Sequence, residues 1–170
     1  MAVILLRHLR PAVAEGVCYG ITDLDLAEGH AAVLETVLER LPALDGIATS
    51  PLRRCRILAE AIATRRGMRV VTDHRLIEMD FGAWEGQPWN DIPRAELDQW
   101  AADFLHARPH GGESVAQLQA RTQAALAEYH ATPGHQLLVT HAGVIKAALA
   151  TGHRAEDWPA ALAFGEFVTI

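Results

Sequence analysis

Residues 3–11 read VILLRHLRP, and the abrupt change inside this stretch decides how the rest of the chain is laid out. Val3, Ile4, Leu5 and Leu6 are four apolar side chains in a row, with no polar alternation. A short run of that kind, stopped by charge, reads as a strand covered on both faces. Arg7 stops it, and His8 follows where the strand must end. Covered strands of this type belong to parallel sheets, whose ligands sit beyond the carboxyl ends of the strands. His8 is therefore in a place where chemistry is expected.

Working outward, the same pattern recurs. Residues 46–49 (GIAT) and 136–140 (QLLVT) are short apolar strands, 69–72 (RVVT) is β-rich, and 166–170 (EFVTI) suits a final edge strand. Between them the apolar spacing turns helical. Residues 27–41 are halted by Pro42, residues 52–66 are closed by Gly67, and 94–105 precede Pro109. Ser114 with Gln117 fits a capping box opening a helix to about Tyr129, and a last helix covers 143–150. In ATSPLRRCR, Ser50 is expected at a helix N-cap with Pro51 at the first helical position. Alternating strands and helices predict an α/β sandwich around a mostly parallel sheet. The late strand ends at His141, so this layout brings His8 and His141 to one rim although 133 residues separate them.

The bulk properties narrow the function classes. The 170 residues suit one domain, 50% of them are apolar, and no apolar run has membrane-spanning length. No secretory leader is visible, and two cysteines, Cys18 and Cys55, point to reduced thiols, so a cytoplasmic protein is expected. A net charge of -6 argues against non-specific nucleic-acid binding. Within that acidic chain the basic residues are fourteen arginines and one lysine, Lys146. Arg7 and Arg10, then Arg53, Arg54 and Arg56, form two clusters, and a planar guanidinium grips phosphate oxygens in bidentate fashion.

Several residues carry candidate chemistry. Cations beside His8 keep its ring neutral and nucleophilic, and the same arginines can hold a phosphoryl group. His141 enters a Gly-containing turn before a helix, whose free N–H groups suit an anion. Of Arg53 and Arg54, one is expected to point at the strand ends and the other into solvent. Glu78, in RLIEMDFGAWEG, fits a general acid whose pKa is raised by burial, with Asp80 and Glu85 as neighbouring alternatives. No paired-histidine zinc motif, cysteine cluster or Gly-Lys-Ser/Thr phosphate loop occurs, and Pro109 separates His106 from His110. The remaining histidines are expected on the surface. Trp89, Trp100 and Phe104 are candidate pocket walls, although aromatic residues at helical spacing more often belong to the core.

Taken in order, these segments resemble the histidine phosphatase (phosphoglycerate mutase-like) superfamily. LLRHLRP resembles its Arg-His-Gly signature, TSPLRR its Ser-x-Leu-x-Arg element and LIEMDFGAWEG its general-acid loop. HGGES resembles its Gly-Glu-Ser turn, and VTHAG its second-histidine motif. GVCYGITDLDL, residues 16–26, further resembles the α-ribazole-5'-phosphate phosphatase branch of cobalamin assembly. The resemblance implies a three-layer, Rossmann-like αβα sandwich over residues 1–170 and a metal-independent phosphatase without cofactor, acting on a small phosphorylated metabolite. It implies His8 as the phosphohistidine, Glu78 as proton donor and His141 as transition-state stabiliser. Arg7, Arg54, Tyr19 and Gly20 would bind substrate. Two positions depart from the pattern. Leu9 stands where glycine allows close approach to phosphate, which is expected to alter rate or specificity. Leu58-Ala59 replaces a threonine-alanine pair, a packing change. At this length hydrolysis is favoured over mutase chemistry. A broad-specificity phosphatase, a phosphoglycerate mutase-like enzyme and a non-catalytic phosphoryl-ligand binding module are the alternatives.

Overall fold

The computed structural model describes all 170 residues. Five strands are β1 (Ala2–Arg7), β2 (Gly46–Thr49), β3 (Val70–Thr72), β4 (His135–Thr140) and β5 (Phe167–Thr169). Five helices are α1 (His30–Arg40), α2 (Arg53–Arg66), α3 (Arg94–Ala102), α4 (Val115–Ala131) and α5 (Ala142–Leu149). The sheet order is β3-β2-β4-β1-β5, with every pair parallel except the edge pair β1 and β5. The expected α/β sandwich with a mostly parallel sheet and a final edge strand is the observed one.

The unbroken apolar runs follow from burial on both faces. Ile4 and Leu6 of β1 join Ile47, Leu137 and Val139 in a core with α1 and α2. Val3 and Leu5, one residue out of phase, join Ala48 and Leu138 in a second core with α4 and α5. A period of two sends alternate side chains to opposite faces, and both faces carry a helical layer. Leu58 is packing in the first core, as expected.

Helix ends mostly sit where the chain signals them. Gly67 closes α2 at φ 65°, and Ser114 and Gln117 form the reciprocal capping box of α4. Three bounds differ. The first helix begins at His30, where Gly29 at φ 79° supplies the left-handed turn. The third stops at Ala102, short of Leu105. Ser50 is not a helix cap: α2 starts at Arg53, and the Ser50 hydroxyl has another partner in the site.

Candidate active site

Two parallel strands bring the histidines together. Arg7 pairs with Thr140 in the β1–β4 register, so the next residues, His8 and His141, leave the sheet side by side. The His8 amide still donates to the Thr140 carbonyl at 3.0 Å. Their ring centroids lie 5.1 Å apart at an interplanar angle of 61°. Both are buried, at 1% and 0% exposure.

Burial and charge set the state of each ring. Desolvation, reinforced by Arg54 and Arg7, lowers the His8 pKa to about 3. His8 Nδ1 lies 2.6 Å from the Leu9 carbonyl. A carbonyl only accepts, so Nδ1 carries the proton of the neutral ring and Nε2 keeps its lone pair. His141 sits well below the ordinary histidine range because it is desolvated and faces His8, Arg54, Arg121 and Arg7. Its Nε2 is 2.7 Å from the Ser50 hydroxyl, which also accepts from the Leu52 amide at 3.3 Å just ahead of α2.

Of the arginine pair, Arg54 turns inward and is fully buried, whereas Arg53 is exposed and ion-paired with Asp25. Arg54 donates to the Gly20 carbonyl at 2.6 Å and the Thr22 carbonyl at 2.7 Å, and its Nε has no partner. No carboxylate pairs with it. A buried cation neutralised only by carbonyl dipoles is costly and is poised for an anion. Arg7 is similar: its Nε is also unpartnered, its Nη1 donates to the Leu162 carbonyl, and its guanidinium stacks 4.0 Å over Phe164. Arg10 and Arg56 remain outside, exposed.

Glu78 follows the short turn after β3 and reaches the N-terminus of α5. Its Oε1 accepts from the Met79 amide at 2.9 Å and its Oε2 from the Gly143 amide at 3.0 Å. A Cβ on residue 143 would lie 2.2 Å from Glu78 Oε1, so only glycine permits this approach. Desolvation raises the Glu78 pKa, opposed by those two amides and by Arg54 and Arg121. Asp80 and Glu85, the alternatives, are engaged with backbone: Asp80 accepts from Gly82, and Glu85 accepts from Phe81, Ile21 and Thr22.

Arg7, His8, Tyr19 and Glu78 border a cavity of about 480 Å³. Arg54 and His141 are fully buried next to His8. Tyr19 lies over Arg54, 5.2 Å from ring centroid to guanidinium carbon. Gly20 is placed differently from the expectation. It does not border the cavity; its carbonyl holds Arg54, and a Cβ there would strike the Met79 carbonyl at 1.9 Å. Leu9 also departs from expectation. Its side chain turns into the core beside Val37 and Gly165 and does not border the cavity.

The far end of the cavity is aromatic. Trp89, Trp100 and Phe104 line it with Phe81 and Trp158. Phe81 meets Trp89 and Trp100 edge-on at centroid distances of 5.6 and 6.2 Å, and Phe104 meets Trp158 at 5.4 Å. Helical spacing gave no means of separating this wall from ordinary core. His110 is a second correction: it is 3% exposed and stands 4.8 Å from the Trp84 ring rather than on the surface. Arg121 escaped sequence reasoning altogether. It pairs bidentately with Glu113 and donates to the main-chain carbonyls of Glu78 and Arg75, fastening the acid loop to α4. Its only signal was Glu113 within HGGES. No three His, Cys, Asp or Glu side chains are grouped to hold a metal ion.

Residues 3–161 match the family model described as histidine phosphatase superfamily, branch 1. Among curated proteins, glucosyl-3-phosphoglycerate phosphatase of Mycobacterium tuberculosis is 32% identical over 179 aligned positions, 93% of this chain and 78% of the relative. Phosphoserine phosphatase 1 of Hydrogenobacter thermophilus is 29% identical over 147 positions, 81% of this chain and 68% of the relative. Among solved structures, phosphoglycerate mutase from Thermus thermophilus superposes with a TM-score of 0.79 at 29% identity, covering 100% of this chain and 92% of the other. With paired strand-end histidines, an unneutralised buried arginine and a match over nearly its whole length, the chain belongs to the histidine phosphatase superfamily.

Proposed function

We propose that this phosphatase is a metal-independent phosphomonoester hydrolase that works through a phosphohistidine at His8, within one domain over residues 1–170. His8 Nε2 attacks phosphorus, the P–O bond to the leaving group breaks, and Glu78 gives its proton to the departing alkoxide. Arg7, Arg54 and His141 hold the non-bridging oxygens as charge spreads over them. A water then attacks the phosphohistidine while Glu78 takes its proton. The P–N bond breaks, and neutral His8, protonated Glu78 and phosphate result.

One observation carries this reading: a fully buried guanidinium without a carboxylate partner beside a histidine kept neutral and nucleophilic. A phosphoryl-binding module would need the arginine, but not a neutral histidine with a free Nε2 together with a buried acid, and that combination weighs against it. Rapid quenching with labelled substrate is expected to trap an acid-labile phosphoenzyme, with turnover persisting in chelator. Multiple turnover with no phosphoenzyme formed, or activity that needs an added divalent ion, overturns the mechanism.

The substrate is a small phosphorylated metabolite. α-Ribazole 5'-phosphate, in cobalamin assembly, is supported by the resemblance of residues 16–26 and by an aromatic wall able to receive a flat base. A second reading, a broad-specificity phosphatase, is favoured by relatives whose names give phosphoserine and glucosyl-3-phosphoglycerate as substrates. Mutase chemistry ranks below both. We place the protein in the cytoplasm on its two free, buried cysteines.

A further inference from the structure

The cavity next to Glu78 holds one charge that the phosphoryl chemistry leaves unused. Lys146 lies on α5 three residues after Gly143 and four after Ala142, and all three border the cavity. That spacing is one helix face, so the lysine stands about one turn beyond the amide that holds Glu78. The remaining wall nearby is Trp100, Phe104, Leu118 and Trp158. Glu78 is the only acidic residue on the cavity; its oxygens turn to the Met79 and Gly143 amides, and it makes no ion pair with Lys146. Lys146 makes no ion pair and no hydrogen bond to the protein, although every other basic side chain is arginine. Arg7, the other cation on the cavity, is beside His8 and is committed to the scissile phosphoryl group.

A half-buried lysine bordering a largely apolar cavity, with no carboxylate paired to it, gains from a ligand that brings one. We infer that Lys146 is a specificity-determining residue and that the substrate is a phosphomonoester whose leaving group joins a flat apolar body to a second anionic group, a carboxylate or phosphate. The aromatic wall takes the body, and Lys146 takes the anion. This rests on the phosphatase reading above and deepens it. α-Ribazole 5'-phosphate satisfies the wall and leaves Lys146 without a partner, so the inference ranks it below substrates with a second negative charge.

The test uses matched synthetic esters, the meta and para isomers of carboxymethylphenyl phosphate and of the corresponding carbamoylmethyl phosphate. Each pair has the same shape and nearly the same leaving group, and differs in one charge. The wild-type protein is expected to favour the carboxylate in kcat/KM by roughly tenfold in at least one isomer, the scale of one charge-assisted hydrogen bond. Lys146→Met is expected to level the ratio, and Lys146→Arg to keep it. Lys146→Glu is expected to shift preference to the 2-aminoethylphenyl phosphates, a gain that a misfolded variant cannot show. Equal turnover of charged and neutral esters by the wild type, or a carboxylate preference that survives in Lys146→Met, overturns the assignment while leaving the phosphatase reading intact. No turnover of any ester by the wild type overturns that reading and this one with it.

Discussion

The two ends of the cavity are built by opposite means. At the histidine end, main chain holds three of the groups: His8 by the Leu9 carbonyl, Arg54 by Gly20 and Thr22, Glu78 by Met79 and Gly143. These residues are 8% exposed or less; His8 follows a strand end, Arg54 sits in the first turn of α2, and Glu78 lies in the loop after β3. At the aromatic end, Trp89, Trp100, Phe104 and Trp158 come from segments outside the sheet; Phe104 meets Trp158 edge-on and Trp100 at a tilt, while Trp89 packs against Phe81. The indole N–H groups of Trp100 and Trp158 find no partner. Rigid main-chain anchoring suits chemistry, where small displacements are expensive, and loosely tied aromatic rings suit recognition, where substrates differ.

Substitutions at the two ends should separate these roles. His8→Asn is expected to lower kcat by about 10⁴-fold or more and to abolish labelling of the protein by substrate, as loss of a nucleophile does. Normal labelling of that variant would place the nucleophile elsewhere. Arg54→Met should cost about 10²–10³-fold in kcat/KM, on the scale of removing one group that stabilises developing charge. A loss confined to KM at unchanged kcat would reduce Arg54 to uniform binding.

Glu78→Gln tests the acid through the leaving group. Loss of a general acid costs about 10²–10⁴-fold with alkyl phosphates, and far less with 4-nitrophenyl phosphate, whose leaving group needs little protonation. Equal losses on both substrates would assign Glu78 a positioning role only. At the other end, Trp100→Ala should raise KM for aryl phosphates by roughly fivefold, as expected for one aromatic contact of about 1 kcal/mol, with a smaller effect on glycerol phosphate. If both substrates suffer alike, the wall does not discriminate.

The remaining effect is on stability. The folded-state pKa of His8 is lowered to about 3 from 6.5, so as pH falls the unfolded chain takes up the proton first. Its contribution is therefore complete above pH 6.5 and is lost as pH falls from there toward 3, by up to about 1.4 kcal/mol per pH unit. His141, lowered for the same reason, adds a slope of the same sign. Thermal midpoints followed from pH 7.5 to 5 should drop less steeply in His8→Asn than in the wild type. Parallel curves would mean that other groups carry the acid sensitivity.

Much of the phosphoryl end is legible in residue order, because strands with unbroken apolar runs and helices with capping signals leave few places for polar residues. A histidine directly after such a strand must emerge at the sheet rim, and the parallel register then decides which two histidines meet. Leu9 shows where this reading stops. The chain places a bulky residue beside His8, yet only the backbone direction after β1 turns that side chain into the core. Gly20 is the converse: adjacent to a pocket residue in sequence, it serves Arg54 from behind.

The sequence by itself determined the layered α/β architecture, the pairing of His8 with His141 and the acid and arginines around them, since local pattern fixes the strands and strand ends fix the rim. The tertiary structure alone decided three further matters: that Trp89, Trp100 and Phe104 face a cavity, that Arg121 braces Glu78 through Glu113, and that Lys146 stands in that cavity uncompensated. A helical period says which residues share a face and nothing about what that face meets. Whether an aromatic or a lysine packs, is solvated or borders a cavity depends on segments tens of residues away, and no local pattern carries that information.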